Sequence, residues 1–218
     1  MNLARLTIAA AGAAWIVTAC LGLAPAIAIA AETLPATAAA PSLAGPALLA
    51  ALRRGGYVLY FRHTSTDFGA NDDAMTSFED CTKQRNLTDK GRAEARAIGA
   101  AIARLKIPVG EVLASPYCRT LETGKLIFGR AAASMDVRGG PATPSAPQRY
   151  AGLRALLSTP VAGGTNLAIA GHGNPFHAVA GPPYLAEGEV AIVEPRGDDG
   201  FRVIAKMARD AWDTLDRP

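Results

Sequence analysis

Three short apolar runs each end in a cation or an imidazole, and this pattern limits the fold more than any other feature of the chain. Tyr57-Val58-Leu59-Tyr60-Phe61 leads to Arg62-His63, Val112-Leu113-Ala114-Ser115-Pro116 to Cys118-Arg119, and Leu167-Ala168-Ile169-Ala170-Gly171 to His172-Gly173. Runs of this length and composition read as buried β-strands. Charged tips suit a pocket better than a core, and open α/β sheets bind ligands in the crevice beyond the carboxyl ends of their strands. Two arginines and two histidines are thus aimed at one hollow, a set able to hold a phosphoryl group and to attack it.

The segments between these runs carry helical signals. Residues 46–53 read as a short helix stopped by Gly55-Gly56. A polar stretch without periodicity, 64–86, follows the first run and reads as a functional or mobile loop. Thr88 has N-cap chemistry, Asp89 lies in the first turn, and Ala93, Ala97, Ile98, Ala101, Ile102 and Leu105 recur at helical spacing. Ser115-Pro116 opens another helix that Gly129 ends. Residues 135–137 read as a short strand, 148–157 and 174–180 as helices, and 189–193 with 201–204 as a final strand pair. This alternation predicts an α/β fold: a three-layer α/β/α sandwich with a mostly parallel central sheet.

Half of the 218 residues are hydrophobic, and much of that excess sits at the front. Residues 6–31 carry no charge, follow Arg5 and end in small residues. That is the form of a signal peptide, 1–30, cut after Ala30. Val17-Thr18-Ala19-Cys20 also resembles a lipobox, which would instead leave a lipidated Cys20. The expected location is periplasmic or secreted, or lipid-anchored at Cys20. Residues 31–45 read as an Ala/Pro-rich linker, and 46–218 as one domain. A net charge of +3 without a basic tract gives no sign of nucleic-acid binding. Membrane contact is expected only through the N-terminal segment or the lipid. Beyond Cys20 the chain keeps Cys81 and Cys118. An even pair in an exported chain points to a disulfide. Two separate thiols are the alternative, because spacing does not give the Cα separation.

A phosphate monoester bears about two negative charges near neutral pH, so its binding needs several cations or N–H donors together. Guanidinium forks match phosphate oxygens, and a neutral imidazole can form a covalent phosphohistidine. Four segments resemble the histidine phosphatase superfamily, with its phosphoglycerate-mutase-like fold. They are Phe61-Arg62-His63-Thr64, Asn86-Leu87-Thr88 with Gly91-Arg92, Ser115-Pro116-Tyr117-Cys118-Arg119-Thr120 with Glu122-Thr123, and Gly171-His172-Gly173. In order they span 57 to about 194.

The resemblance implies that His63 is the nucleophile, that Arg62 and Arg119 clamp the phosphoryl oxygens, and that His172 donates a hydrogen bond to the same group. Thr64 would complete the cradle, and Arg85 is a candidate third guanidinium. His177 matches no motif and is expected on the surface or behind the site. Many members of the superfamily carry a Glu between the second arginine and the last histidine to protonate the leaving group. Here Asp136 is the only carboxylate between Glu122 and Glu187. The candidates for that acid are therefore Glu187, which is favoured, and Glu189, Asp67 and Asp136.

The expected activity is hydrolysis of a small phosphomonoester through a phosphohistidine. No His/Cys/Asp cluster has metal-ligand spacing, so no metal or other cofactor is expected. A phosphohistidine or phosphoramidate phosphatase, as in the short bacterial members, is the alternative that needs no acid. A phosphoglycerate mutase and a non-catalytic phospholigand-binding domain are further readings.

Overall fold

The structure, a computed structural model, describes residues 42–140 and 148–217. The signal and lipobox readings and residues 31–41 of the linker lie outside the described residues. The Leu43 N–H donates to the Ile204 carbonyl at 3.1 Å, and helix α1 spans Gly45–Arg54. Pro46 near the N-terminus of α1 costs no hydrogen bond, since that N–H has no helical acceptor.

Strand β1 (Val58–Arg62) follows, then helix α2 (Asp89–Arg104), β2 (Val109–Ala114), α3 (Cys118–Phe128) and the two-residue β3 (Ala132–Ala133). After these come α4 (Ala151–Ser158), β4 (Asn166–Gly171), α5 (Gly173–Ala180), β5 (Val190–Pro195) and β6 (Phe201–Met207). The Thr88 hydroxyl caps α2 by accepting the Gly91 N–H at 3.0 Å. Gly129, at φ +74°, ends α3 in the left-handed region that glycine enters without strain.

One sheet has the order β3-β2-β4-β1-β5-β6. Pairs β1/β4, β2/β4 and β2/β3 are parallel, while β5 and β6 join antiparallel at one edge. This is a three-layer α/β/α arrangement. The expected strand at 135–137 is corrected: Met135–Val137 is a 3₁₀ turn, and the edge strand is Ala132–Ala133, paired with Leu113 and Ala114. The buried Val137 turns inward to the core there. The helix expected over 148–157 begins only at Ala151, after a turn.

Alternation along β1 explains its unbroken apolar run. Leu59 and Phe61 pack against α1, α2 and Trp212, while Val58 and Tyr60 pack against Leu153, Leu157 and Phe176. Both faces are covered, so each of these side chains contributes roughly 1.5–3 kcal/mol of burial. Asn166 is the polar anchor at the opposite end of the sheet from the strand tips. Its amide donates to the Leu52 and Pro108 carbonyls, both at 2.8 Å, and its Oδ1 accepts the Tyr57 N–H at 3.2 Å. Three elements are thereby held where their strands begin. Among the described residues no helix is long and apolar enough to cross a membrane.

Candidate active site

Parallel register brings the tips together. Arg62 pairs with Gly171, and Ala114 with Ala170, so Arg62-His63, Ser115 and His172 leave three adjacent strands at one level. Backbone bonds extend the alignment: the His63 N–H donates to Gly171 O at 3.0 Å and the Ser115 N–H to Ala170 O at 2.9 Å. Arg119 follows in the first turn of α3. A polar hollow of about 270 Å³ results, lined by Arg62, His63, Asp72, Arg85, Tyr117, Arg119 and His172, with Gly139, Gly140 and Tyr184 at its sides. Larger depressions of about 490 and 530 Å³ beside α4 hold no histidine, so size does not mark this site.

Each imidazole is fixed by one nitrogen. His63 Nδ1 lies 3.0 Å from the Thr64 carbonyl, which requires a proton on Nδ1 and leaves the Nε2 lone pair for the hollow. His172 Nε2 lies 2.8 Å from the Ser115 hydroxyl. If that hydroxyl donates, Nδ1 carries the proton and can donate into the site. The two rings meet edge to face at 5.6 Å between centroids. Tyr60 pins the backbone beneath: its hydroxyl donates to His172 O at 2.8 Å and accepts the His172 N–H at 3.1 Å. Gly171 is required by this contact, because a Cβ there would run into the Tyr60 hydroxyl.

Burial and the surrounding guanidinium groups keep both rings neutral. Burial, followed by the charges of Arg119, Arg62 and Arg85, pushes His63 down to about 3. Burial, followed by Arg119, His63 and the other two arginines, holds His172 well below its ordinary value. A ring that stays uncharged beside three cations is a competent nucleophile.

The guanidinium groups are preorganised. Arg62 Nη1 donates to Leu185 O at 2.8 Å, and its plane lies 5.3 Å from the Tyr184 ring centre. Arg119 Nη1 donates to Asp72 Oδ1 at 2.9 Å and to Arg85 O at 3.2 Å, over the Tyr117 ring at 4.5 Å. The Nε–H of each is buried without a partner among the described residues. Two such donors in a cationic hollow fit an oxyanion. Arg85 lines the same hollow, its guanidinium 4.8 Å over Phe68.

Two expected residues do not line the hollow. Thr64 is fully buried, and its hydroxyl contacts that of Thr123 at 3.4 Å. It acts on the site through the carbonyl that orients His63. Glu187 lies on the Nδ1 side of His63, its Oε1 3.8 Å from that nitrogen and 3.7 Å from Arg62 Nη2. The Thr66 hydroxyl and N–H hold it there at 2.6 and 3.2 Å. The favoured acid therefore does not line the hollow, because the turn before β5 returns behind the imidazole. The other candidate acids are also elsewhere. Glu189 accepts the Ala186 N–H at 2.6 Å, Asp67 accepts the Gly69 N–H at 2.8 Å, and Asp136 is exposed. His177 is exposed on α5, beside Tyr184.

The carboxylate that does line the hollow is Asp72, from the loop after β1. Burial opposes its ionisation, but the Arg119 hydrogen bond, the Arg85 N–H and both positive charges prevail and hold it below its ordinary value. No local signal singled it out among the acids of an aperiodic loop. Gly139 also lines the hollow. Its role is proximity, since a Cβ there would fall 2.9 Å from His172 Cδ2 and Nε2. Arg149 holds that segment by donating to the Arg138 carbonyl and, at 2.8 Å, to Gly139 O. Cys81 and Cys118 are bonded to each other, tying the Asp72/Arg85 loop to the helix start that carries Arg119. Gln84 reinforces the tie by accepting the Cys118 N–H at 2.9 Å.

Compared with known proteins, residues 58–140 match the family model described as the histidine phosphatase superfamily (branch 1). The family resemblance read from the sequence is borne out. No curated protein matches the chain by sequence. Among solved structures, the protein histidine phosphatase SixA complexed with tungstate is 20% identical at a TM-score of 0.50, over 70% of this chain and 97% of that one. The putative phosphohistidine phosphatase SixA from Agrobacterium tumefaciens is 18% identical at 0.50, over 70% and 98%. The mycobacterial glucosyl-3-phosphoglycerate phosphatase Rv2419c with inorganic phosphate is 12% identical at 0.50, over 69% and 96%. At these identities the likeness is one of fold, and the phosphoglycerate-mutase-like α/β fold is the one this chain adopts.

Proposed function

We propose that the chain is a phosphatase that hydrolyses small phosphomonoesters through a phosphohistidine on His63, without a metal. One observation carries this reading: a neutral imidazole with its free nitrogen toward the hollow, flanked by two guanidinium groups whose buried Nε–H donors lack partners among the described residues. Phosphoryl transfer asks mainly for in-line positioning and charge stabilisation, which such a set supplies. Fold relatives described as complexed with tungstate and with inorganic phosphate support an oxyanion as the ligand.

In the first step His63 Nε2 forms a bond to phosphorus while the bond from phosphorus to the leaving oxygen breaks. Arg62, Arg119 and the His172 Nδ1–H hold the equatorial oxygens, where charge gathers. Water then attacks phosphorus and breaks the phosphorus–nitrogen bond, releasing phosphate and the imidazole. The apolar N-terminal segment and the Cys81–Cys118 bond support an exported location, where a disulfide persists.

A phosphate-release screen on the purified full chain tests the proposal, using 4-nitrophenyl phosphate, sugar phosphates and phosphoramidate, with His63→Ala as the blank. Release should survive EDTA, a labelled phosphoenzyme should be trapped in rapidly quenched wild type, and both should vanish in the variant. Undiminished turnover by His63→Ala would remove the mechanism. Turnover of phosphoramidate alone would move the assignment to the phosphohistidine class.

A further inference from the structure

Release of an alkoxide from a phosphomonoester needs a proton. The carboxylates expected to supply it are all outside the hollow, but the hollow is not without one. Asp72 lines it, and among the described lining residues it is the only acid. Residues 141–147, which follow Gly140 in the chain, contain neither Asp nor Glu.

Burial orders the site from floor to mouth. The His63 side chain is 2% exposed and that of Arg119 6%, whereas that of Asp72 is 27% exposed. An in-line displacement that begins with His63 at the floor drives the leaving group toward the mouth. Asp72, the most exposed of these lining residues, is held at 2.9 Å by Arg119, a proposed phosphoryl ligand. The disulfide between Cys81 and Cys118 and the Arg85 N–H, which donates to Asp72 Oδ1 at 2.9 Å, fix the loop that carries it.

Resting on the phosphatase reading above, we propose that Asp72 is the general acid of this site, donating its proton to the departing oxygen and recovering one from the water that cleaves the phosphohistidine. The cycle balances. In the first half, the phosphorus–oxygen bond breaks as the nitrogen–phosphorus bond forms, and the Asp72 proton goes to the alkoxide. In the second half, water gives its hydroxyl to phosphorus and its proton to the Asp72 carboxylate. In the free site Asp72 is paired with Arg119. An arriving phosphoryl group competes for that guanidinium and brings its own negative oxygens beside the carboxylate. Two anions at one cation favour a proton shared between them, so the substrate itself primes the acid.

The test compares leaving groups in the full chain. In Asp72→Asn, kcat/KM for glycerol 2-phosphate should fall by roughly 10²-fold or more, while 4-nitrophenyl phosphate, whose leaving group needs little help, should change by less than about 5-fold. Asp72→Glu should recover part of the alkyl phosphate activity. Equal losses on both substrates would assign Asp72 to holding Arg119 and overturn the proposal, as would no loss on either. Failure of the phosphatase reading looks different: wild type would release phosphate from neither substrate, or His63→Ala would match it.

Discussion

The Glu187 carboxylate lies 3.8 Å from His63 Nδ1, on the edge of the ring opposite the attacking nitrogen. When Nε2 bonds to phosphorus and Nδ1 keeps its proton, the ring becomes cationic. A carboxylate at that distance, only 11% exposed, offsets the new charge by an interaction on the order of a few kcal/mol. Glu187→Gln should therefore slow phosphorylation of His63 by roughly 10²-fold in single-turnover measurements, equally for aryl and alkyl phosphates and with KM little changed. A loss confined to alkyl phosphates would return Glu187 to a leaving-group role.

The neutral histidines make stability depend on pH with a definite sign. His63 is pushed down to about 3 in the folded state from an ordinary value of 6.5, and His172 moves in the same direction. Between those limits the unfolded chain binds protons that the native site refuses. The contribution is complete above pH 6.5 and is lost as the pH falls toward 3, at about 1.4 kcal/mol per pH unit for each such proton. Urea unfolding from about pH 7 to 4 should follow this trend, with a shallower slope in His63→Gln. Identical slopes would contradict the buried neutral ring.

Loss of the Cys81–Cys118 bond should act on stability and catalysis together. The bond closes a separation of 37 residues and anchors the loop bearing Asp72 and Arg85 to the helix start bearing Arg119. Cys81→Ser with Cys118→Ser should cost about 2–4 kcal/mol in denaturant unfolding. Under conditions where the variant remains folded, KM for a phosphomonoester should rise. Unchanged KM would show that the loop holds its position without the bond.

Gly139 separates packing at the site from packing in the core. A Cβ there falls 2.9 Å from the His172 ring, which Ser115 already holds at Nε2 while Tyr60 holds the backbone beneath it. Gly139→Ala should lower kcat by roughly 10-fold or more through a misplaced imidazole, since small displacements of catalytic groups are costly. The melting temperature should move little, because the segment flanks the sheet instead of forming its core. Wild-type kcat in this variant would show that the segment yields freely.

Much of this architecture was legible along the chain. Val58 to Phe61 and Leu167 to Ala170 are continuous apolar runs because both faces of β1 and β4 are covered. Thr88 and Gly129 announced the start of α2 and the end of α3 by local hydrogen bonding and backbone freedom. Residues 135–137 misled because three residues with apolar ends suit a strand or a tight turn equally. The packing of Val137 against α4 and α5 chooses the turn.

The convergence of Arg62, His63, Arg119 and His172 was written into the order of residues, because parallel strands in register must end side by side whatever else surrounds them. The roles of the carboxylates were not. Asp72 and Glu187 sit in connections with no periodicity, so nothing short of the folded loops and their contacts could put one at the mouth of the hollow and the other behind the imidazole. A strand tip is positioned by bonds repeated along its neighbour, whereas a loop side chain is positioned by a few contacts from distant parts of the chain, such as Arg119 for Asp72 and Thr66 for Glu187.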